Sequence, residues 1–294
     1  MATSPGFAVA AQLRPASGQP QLAQVHVLDS REKTVDKLDT LASRLRLKKA
    51  KLHLLLEDDD YQFLQTELPQ IPDEELLDAL RWQVKDMLRT PLAASTLDLI
   101  APPQTGARRA QGFVVAAANK LLRERMLQFR PSQSEVAVID IPELAQRNMA
   151  TLLETQGHST IILSINSAGS LLTGSRDGVL YFTRNFDLSL FSLADSPDAR
   201  REQFDRLLLE LQRSLDVIEH QYTHLTTPVL WLAPFAHVDE LLSLLIDTLY
   251  LPVHAIRLDQ LFDCSHCPLP AEPIRQAALF HALGLCLRDR ELAQ

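Results

Sequence analysis

Residues 159–188, STIILSINSAGSLLTGSRDGVLYFTRNFDL, carry the clearest pattern of secondary structure in the chain. It predicts three consecutive short strands, at 160–165, 170–174 and 179–186. The sequences between them, Asn-Ser-Ala-Gly at 166–169 and Arg-Asp-Gly at 176–178, are typical of tight turns. The stretch is therefore interpreted as a three-stranded meander.

A long amphipathic helix is predicted after the meander, over residues 198–224. Its apolar residues recur alternately four and three positions apart, as on one helix face: Phe204, Leu208, Leu211, Leu215, Ile218 and Tyr222. Strands at 228–232 and 253–258 then flank a helix at 238–249. The last helix, 274–287, is apolar nearly all round and is expected to lie between other elements.

The part of the chain before the meander also alternates strands and helices. The predicted elements are a hairpin at 6–13 and 21–28, helices at 34–46, 73–89, 119–128 and 142–154, and strands at 51–56, 62–68, 96–100, 112–118 and 135–141. The acidic run 57–60 is interpreted as a solvated hairpin turn. We predict two α/β lobes, 1–157 and 158–294, with an inserted hairpin-and-helix unit at about 50–130 in the first.

The composition is that of a soluble globular protein. The chain has 294 residues, of which 46% are hydrophobic and 22% charged, and this excludes a disordered or fibrous chain. A net charge of −8 argues against nucleic-acid binding, because phosphate recognition needs clustered positive charge. The longest apolar stretch, 241–256, contains Asp247 and Pro252, so no insertion into the membrane is expected. Three cysteines and an N-terminus without an export signal favour the cytoplasm.

Several segments occur in the order found in one family of pilus proteins. In the first half they are LPQIPDEELLDALRWQVKDMLRTPLAASTLDLI at 68–100, GFVVAAANK at 112–120 and VAVIDIPELAQRN at 136–148. In the second half the meander is followed by LLLELQRSLDVIEHQY at 207–222 and AALFHALGLCLR at 277–288. Together these segments resemble the PilM-type assembly proteins of type IV pili, and among them the MSHA-pilus branch.

This resemblance implies both a fold and a role. The fold is the two-lobed actin-like (ribonuclease-H-like) ATPase fold, with a pilus-specific insertion in the first lobe and a last helix that returns to that lobe. The role is to bind the cytoplasmic tail of a bitopic, PilN-like assembly protein at the inner membrane, in a groove that the inserted unit helps to form. The assembly ATPase is a second candidate partner.

The nucleotide signatures of that fold are degraded in this sequence. Active members bind ATP between the lobes, on two hairpins that each carry an acidic residue and glycines. The first hairpin of the family reads Gly-x-Asp-x-Gly, whereas residues 6–12 here are Gly-Phe-Ala-Val-Ala-Ala-Gln. The second reads Asp-x-Gly, but Ser164 and Asn166 occupy its two defining positions. The adenosine loop has paired glycines, whereas 233–236 is Ala-Pro-Phe-Ala, which is expected to crowd the adenine space.

We therefore expect an adaptor that does not hydrolyse ATP and needs neither ATP nor Mg²⁺. The residues that could still contact a nucleotide are Ser164, Asn166, Ser167, Glu210 and Arg213. Of these, Glu210 and Arg213 also have the spacing of an ordinary i,i+3 ion pair. Two alternatives stay open: an active ATPase of the same fold with an atypical site, and the cytoplasmic domain of a type II secretion platform protein.

Two cysteines have the spacing of a zinc or redox pair. Cys264 and Cys267 form a CxxC sequence, and His254 and His281 are the nearby candidates for further zinc ligands. Prolines follow the motif where a redox motif would open a helix. A structural loop is therefore expected.

Three further residues have weak signals for a site. His220 and His224 are one helical turn apart, but no third ligand accompanies them, so no metal site is expected. Arg184, on the last strand of the meander, is expected either in the cleft or exposed on its hairpin.

Trp82 lies on the polar face of the helix predicted over residues 73–89. It projects about half a turn from the apolar stripe and lies among Asp78, Lys85 and Arg89. An indole on a polar face is either covered by another part of the protein or used to grip a partner. Trp82, Lys85 and Arg89 are therefore candidate partner-binding residues.

Overall fold

A computed structural model describes residues 1–14, 18–30, 33–103, 111–222 and 225–291. The strands are β1 (Ala2–Ser4), β2 (Phe7–Arg14), β3 (Gln21–Asp29), β4 (Lys51–Leu55), β5 (Tyr61–Glu67), β6 (Ser95–Ile100), β7 (Gln111–Ala118), β8 (Glu135–Asp140), β9 (Ser159–Ile165), β10 (Ser170–Arg176), β11 (Val179–Phe186), β12 (Pro228–Leu232) and β13 (Val253–Ala255). The helices are α1 (Thr34–Arg44), α2 (Asp73–Val84), α3 (Asn119–Gln128), α4 (Pro142–Ala150), α5 (Pro197–Gln221), α6 (Val238–Thr248), α7 (Leu258–Leu261) and α8 (Pro273–Glu291). Within the described ranges, no helix has the length and hydropathy required to cross a membrane.

The predicted meander forms three strands of a five-stranded sheet in the order β11-β10-β9-β12-β13. Strands β9, β10 and β11 pair antiparallel, while β12 and β13 run parallel to β9. Helices cover β9 on both faces: Ile161 and Leu163 pack with α5 and α6, and Ile162 packs with α8. The meander, the long helix and the buried position of the last helix are thereby confirmed.

The first lobe has the same strand order as the second. Strands β1, β2 and β3 form an antiparallel meander, and β4 pairs in parallel with β8. Two hydrogen bonds join these pieces: the Met1 nitrogen donates to the His53 carbonyl at 2.6 Å, and the Leu55 amide donates to the Met1 carbonyl at 3.0 Å. The order β3-β2-β1-β4-β8 therefore corresponds to β11-β10-β9-β12-β13.

Between β4 and β8 the chain builds a separate three-stranded sheet in the order β5-β7-β6. Successive side chains of a strand point to opposite faces of its sheet. On β7, Val114 and Ala116 pack against α2, whereas Val115 and Ala117 face α3 and the first lobe. We call β5, α2, β6, β7 and α3 the inserted unit; the lobe bounds given above stay a prediction.

The prediction that strands 51–56 and 62–68 form a hairpin is wrong. Strand β4 pairs with β8 and β5 pairs with β7, so the two strands belong to different sheets. The acidic run between them contains a short 3₁₀ turn, Asp58–Asp60, and is not a solvated hairpin turn. The Asp60 carboxylate lies 3.3 Å from the Arg125 guanidinium of α3, and both side chains are largely buried. This ion pair joins the start of the inserted unit to its last helix.

Three other element predictions need correction. The strand predicted over 253–258 ends at Ala255, and a short helix, α7, begins at Leu258 where a loop was expected. Strand β1 precedes the predicted N-terminal hairpin, and three residues are too few to show an alternating pattern. The helix predicted over 73–89 ends at Val84 and continues as one 3₁₀ turn before an extended Leu88. Residues 15–17, which belong to the turn at 15–18 between the two strands of the predicted hairpin, and His224 lie outside the described residues.

Helix α8 is the element that both lobes share. It packs on β2 and α4 of the first lobe, and its buried residues also contact β9 of the second. A Cβ atom added to Gly284 would lie 2.0 Å from the Ala145 carbonyl oxygen of α4. The Asn148 side chain donates a hydrogen bond to the Gly284 carbonyl at 3.0 Å. The backbones of α4 and α8 therefore touch, and only glycine leaves room for that contact.

A buried acid ties the inserted unit to the first lobe. Tyr61, at the start of β5, donates a hydrogen bond to the Glu143 carboxyl group of α4 at 2.7 Å. Burial raises the pKa of Glu143 to about 7, and the nearby carboxylates of Asp58 and Asp140 add to the rise against the opposing effect of the Tyr61 hydrogen bond. Glu143 thus titrates near neutrality at the joint between the two units.

Gly284→Ala is expected to lower the free energy of unfolding by about 3 kcal/mol, because the methyl group forces the two helix backbones apart. Urea unfolding followed by circular dichroism measures the change. Gly18→Ala is the control, since no atom lies within 4 Å of a Cβ added there. A loss below about 1 kcal/mol for Gly284→Ala would contradict the backbone contact.

Glu143 is expected to make stability fall as the pH rises. The folded chain keeps a proton on Glu143 up to a pKa of about 7, whereas the unfolded chain releases it near 4.5. The stabilisation is complete below the pKa of the unfolded chain and is lost as the pH rises to the pKa of the folded chain. The free energy of unfolding changes by about 3 kcal/mol in total. Glu143→Gln keeps an acceptor for Tyr61, so its stability relative to wild type should rise by most of that amount between about pH 5 and pH 8. Parallel pH profiles of unfolding for the two proteins would contradict this.

Candidate functional site

Two turns face each other across the cleft between the lobes. One is the β1–β2 turn at residues 4–5 and the other is the β9–β10 turn at 166–168, with Ala277, Ala278 and His281 of α8 beside them. The family resemblance places a nucleotide between such turns. The cavity here measures only about 50 Å³, whereas ligand pockets typically measure about 300–1,000 Å³.

The first turn lacks the features of a phosphate-binding loop. Most of the segment compared above with the first signature, 6–12, lies on β2, and its Ala8 and Ala10 are buried in the first lobe. The residues that line the cleft instead include Pro5, which has no N–H group to donate to a phosphate. The part of the chain that corresponds to the first nucleotide signature is therefore the β1–β2 turn at residues 4–5, and not the segment 6–12 on β2.

A phenylalanine from the second lobe closes over this first turn. Phe191, in the loop after β11, stacks on Phe7 with ring centroids 6.4 Å apart. Its ring lies so close to Gly6 that an added Cβ would be 2.6 Å from Phe191 Cζ. The neighbouring Leu190 amide donates to the Asn166 carbonyl at 2.8 Å, so the same loop is also held on the second turn. The loop thereby connects the two turns.

The second turn uses its own backbone donors. The Asn166 side-chain oxygen accepts hydrogen bonds from the amides of Ala168 at 2.7 Å and Gly169 at 3.0 Å. Successive amides of this kind are the groups that bind a phosphate in such turns. Ser167 is buried in the same turn. Asn166 therefore stabilises the turn and occupies the donors that a nucleotide would need.

Ser164 belongs to a buried hydrogen-bond network. Its hydroxyl donates to Gln146 Oε1 at 2.7 Å, and His281 Nε2 lies 3.1 Å from the same oxygen. The Gln146 amide donates to the Ile162 carbonyl at 2.8 Å and to the Thr173 hydroxyl at 3.0 Å. Burial lowers the pKa of His281 to about 4, so its ring is neutral at pH 7. The network joins α4, β9, β10 and α8, and it uses the one proton that Ser164 could donate to a phosphate.

Glu210 and Arg213 form the expected i,i+3 ion pair on α5, at 2.6 Å. Glu210 also accepts a hydrogen bond from Arg184 of β11 at 2.9 Å, and Arg184 donates to the Ser214 hydroxyl at 3.2 Å. Arg184 and Glu210 line a polar groove beside α5. Neither these two residues nor Arg213 lines the cleft cavity. Arg184 thus joins β11 to α5. The sequence had led us to expect Arg184 either in the cleft or exposed on its hairpin, and this contact with α5 corresponds to neither position.

The prediction that residues 233–236 crowd an adenine space is wrong for Phe235. Its ring packs edge-to-face against Phe204 of α5, with centroids 6.3 Å apart. Phe235 is buried in the core of the second lobe, so it contributes to packing there and does not line the cleft.

A much larger groove lies between the inserted unit and the first lobe. It has a volume of about 990 Å³, with β6, β7 and α3 on one side and β8 and α4 on the other. Its apolar lining residues include Ile100, Val115, Leu122, Met126, Leu127, Val136, Ile139, Ile141 and Leu144. Met126 and Leu127 are exposed at its rim. We call it the insertion groove.

Two strand edges border the insertion groove. Strand β6 is the last strand of the inserted sheet and β8 the last of the first-lobe sheet, and neither has a second partner strand in the described ranges. An edge strand carries unpaired backbone donors and acceptors. The rim has charges of both signs, from Arg123, Arg130, Asp98 and Glu135. Chemically, the groove suits an extended and largely apolar peptide.

The sequence did not identify the residues of the insertion groove. Each of them is an ordinary apolar residue of a strand or a helix, and they are far apart along the chain. The sequence contained one indication of the groove, in β7. Residues 113–118 of this strand are apolar on both faces of the sheet, whereas α2 covers only one face. Such a strand requires a second apolar neighbour, or exposes an apolar surface.

Trp82 lies outside the insertion groove. Its side chain is 70% exposed, so the described part of the chain does not cover it. The Lys85 ammonium lies 5.8 Å from the centre of the Trp82 ring, whereas Arg89 follows the end of the helix and does not continue this face. Helix α2 packs on the sheet face opposite the groove. A partner-binding role for Trp82, Lys85 and Arg89 stays a prediction at this separate surface.

The cysteine and histidine candidates do not converge. Cys264 and Cys267 are half-buried in the loop after α7, where the Cys267 amide donates to the Cys264 carbonyl at 3.3 Å. His254 packs beside a tryptophan ring on β12, whereas His281 lies in the buried network. His220 contacts a backbone carbonyl of its own helix. No three His, Cys, Asp or Glu side chains are grouped for a metal ion in the ranges that the structure describes.

Comparison with known proteins gives structural matches alone, since no family model and no curated protein matches the chain. The PilM–PilN type IV pilus biogenesis complex matches with a TM-score of 0.75 at 19% identity, over 98% of this chain and 96% of that one. A Bacteroides thetaiotaomicron protein with an actin-like ATPase fold and unknown function matches with a TM-score of 0.50 at 10% identity, over 94% and 96%. The cytoplasmic domain of EpsL, an inner-membrane component of the Vibrio cholerae type II secretion system, matches with a TM-score of 0.48 at 12% identity, over 98% and 96%.

The duplicated strand order and the first two of these matches lead to the same fold. Both lobes are meanders extended by two parallel strands, and α8 packs between them. The chain has the actin-like ATPase fold, with an inserted sheet in its first lobe.

Proposed function

We propose that this protein is a non-catalytic adaptor of a type IV pilus machinery of the MSHA type, peripheral at the cytoplasmic face of the inner membrane. Its insertion groove holds the cytoplasmic tail of a PilN-like bitopic protein, and the assembly ATPase is a second candidate partner. The structural similarity to the PilM–PilN complex and the sequence resemblance support this choice of machinery. The insertion groove is the observation that carries the proposal.

An extended peptide fits the insertion groove through two kinds of contact. Its backbone pairs with the edge of β6 or β8, and its alternate side chains enter the apolar interior. Strand β8 has six residues and spans about 20 Å, so a tail segment of similar length can be bound. Main-chain pairing provides affinity, and the pockets for side chains select the sequence.

The cleft between the lobes supports the absence of catalysis. Its volume of about 50 Å³, the amides bound by Asn166 and the ring of Phe191 all oppose nucleotide binding. The acids of the two family signatures are also replaced in this sequence, and their loss would remove several kcal/mol of transition-state stabilisation. The protein would therefore act by binding alone.

Charged substitutions at the rim should weaken binding of the tail. Leu127→Asp and Met126→Asp place a carboxylate against the apolar peptide, and because both residues are exposed the chain should still fold. We expect each to raise the Kd by at least about tenfold, equivalent to about 1.4 kcal/mol. Fluorescence anisotropy with a labelled peptide of the PilN-like tail from the same pilus system measures this.

Leu209→Asp is the control for the tail experiment. Leu209 is an exposed apolar residue of α5 outside the groove lining, so this variant should leave the Kd within about twofold of wild type. Trp82→Ala tests the separate α2 surface, which lies on the other face of the inserted sheet. If Trp82→Ala abolishes binding while the rim substitutions do not, the α2 surface is the site and the insertion groove is not.

The chain should bind Mg²⁺-ATP more weakly than a Kd of about 1 mM, because the cleft has neither the space nor the free donors. Isothermal titration calorimetry and a phosphate-release assay measure binding and turnover on the same sample. Micromolar affinity with turnover that is lost in Asn166→Ala or Glu210→Gln would establish the alternative, an active ATPase with an atypical site.

A further inference from the structure

A second groove lies in the second lobe, where α5 and α6 end. It has a volume of about 720 Å³ and lies between the last turns of these helices and the segments that follow them. The apolar residues that line it are Leu215, Ile218, Tyr222, Leu225, Leu249, Tyr250 and Leu251. We call it the α5/α6 groove, and it shares no lining residue with the insertion groove.

The walls of the α5/α6 groove are preformed and partly uncovered. Tyr222 is held by a hydrogen bond at 2.7 Å from the Gln65 side chain of the inserted unit, and its ring packs edge-to-face on Phe182. Tyr250 is 108% exposed, so an aromatic ring projects into solvent at one end of the groove. Aromatic residues that are exposed beside an apolar groove are typical of binding surfaces.

The charge around the groove is negative. Among the residues that the structure describes, the ionisable side chains that line it, apart from tyrosine, are Asp216 and Glu219, and both are exposed. Two helices end at the groove, and the free carbonyl groups of their last turns carry partial negative charge. A neighbouring cation, Arg176, is engaged in other contacts: its guanidinium donates to the Thr226 hydroxyl at 2.7 Å and pairs with the Asp177 carboxylate.

We propose that the α5/α6 groove is a docking surface for a basic amphipathic segment of a partner protein. Its apolar residues would enter the groove, and its Lys or Arg side chains would reach Asp216, Glu219 and the helix ends. The choice of a cationic occupant rests on charge complementarity, since an acidic segment would face like charge. Because the two grooves share no residue, this partner and the occupant of the insertion groove can bind together.

The test uses two synthetic probes with the same apolar stripe. One is a fluorescein-labelled helix of about 18 leucine and lysine residues, and the other has glutamate in place of every lysine. Fluorescence anisotropy with the intact chain should show binding of the lysine probe, weaker at higher salt, and no binding of the glutamate probe. Asp216→Lys combined with Glu219→Lys should raise the Kd by at least about tenfold, and Tyr250→Ala by several-fold.

The matched control is Glu202→Lys combined with Asp205→Lys. These residues lie on the same helix with the same i,i+3 spacing, about 20 Å along the helix from Asp216 and Glu219, and their substitution changes the net charge equally. The control should leave the Kd within about twofold of wild type. An equal effect of both double variants, or no binding of the lysine probe, would overturn the proposal. So would light scattering that shows a dimer dissociated by the Asp216 and Glu219 changes, since a second copy would then be the occupant.

Discussion

The backbones of α4 and α8 touch at the centre of the molecule, where elements of both lobes meet. At Gly284 the two helices are too close for any side chain, and beside it Gln146, Ser164 and His281 exchange hydrogen bonds in the interior. A carboxylate at position 164 would be buried there without a cation, which costs far more than burying a hydroxyl group. The buried serine at this position and the tight packing of the seam between the lobes are therefore physically coupled.

With the seam closed, the space for a ligand lies where separate units meet at the surface. The insertion groove is formed by two sheets whose relative position depends on buried polar contacts. Tyr61 binds Glu143 between the inserted unit and α4, and Asp60 binds Arg125 inside that unit. Breaking either contact leaves a buried polar or charged group unpaired, so the groove walls are held more firmly than their loop connections alone would allow.

The sequence predicted the elements that depend on local patterns. The meander at 159–188 and the stripe on α5 are periodic over many residues, and the structure confirms both. Strand β1 was missed because three residues have no measurable period. The pairing of β4 with β8 was missed because its partners lie 84 positions apart at Lys51 and Glu135, and adjacency favoured a hairpin. Phe235 was assigned to the cleft because a sequence does not show on which side of a strand end a ring packs.

The position of the insertion explains why it could create a groove without disturbing the fold. Parallel strands at the edge of each lobe need a crossover connection, which in the second lobe is α6 between β12 and β13. In the first lobe the crossover from β4 to β8 contains the whole inserted unit, and α3 is its last helix as α6 is in the other lobe. Lengthening a crossover costs little, because the entropy of loop closure grows slowly with length. The strand order therefore stays the same in both lobes, while a second sheet is placed opposite the edge of β8. The expanded crossover of the first lobe thus provides a concave surface beside the edge of β8, which the shorter crossover of the second lobe does not provide.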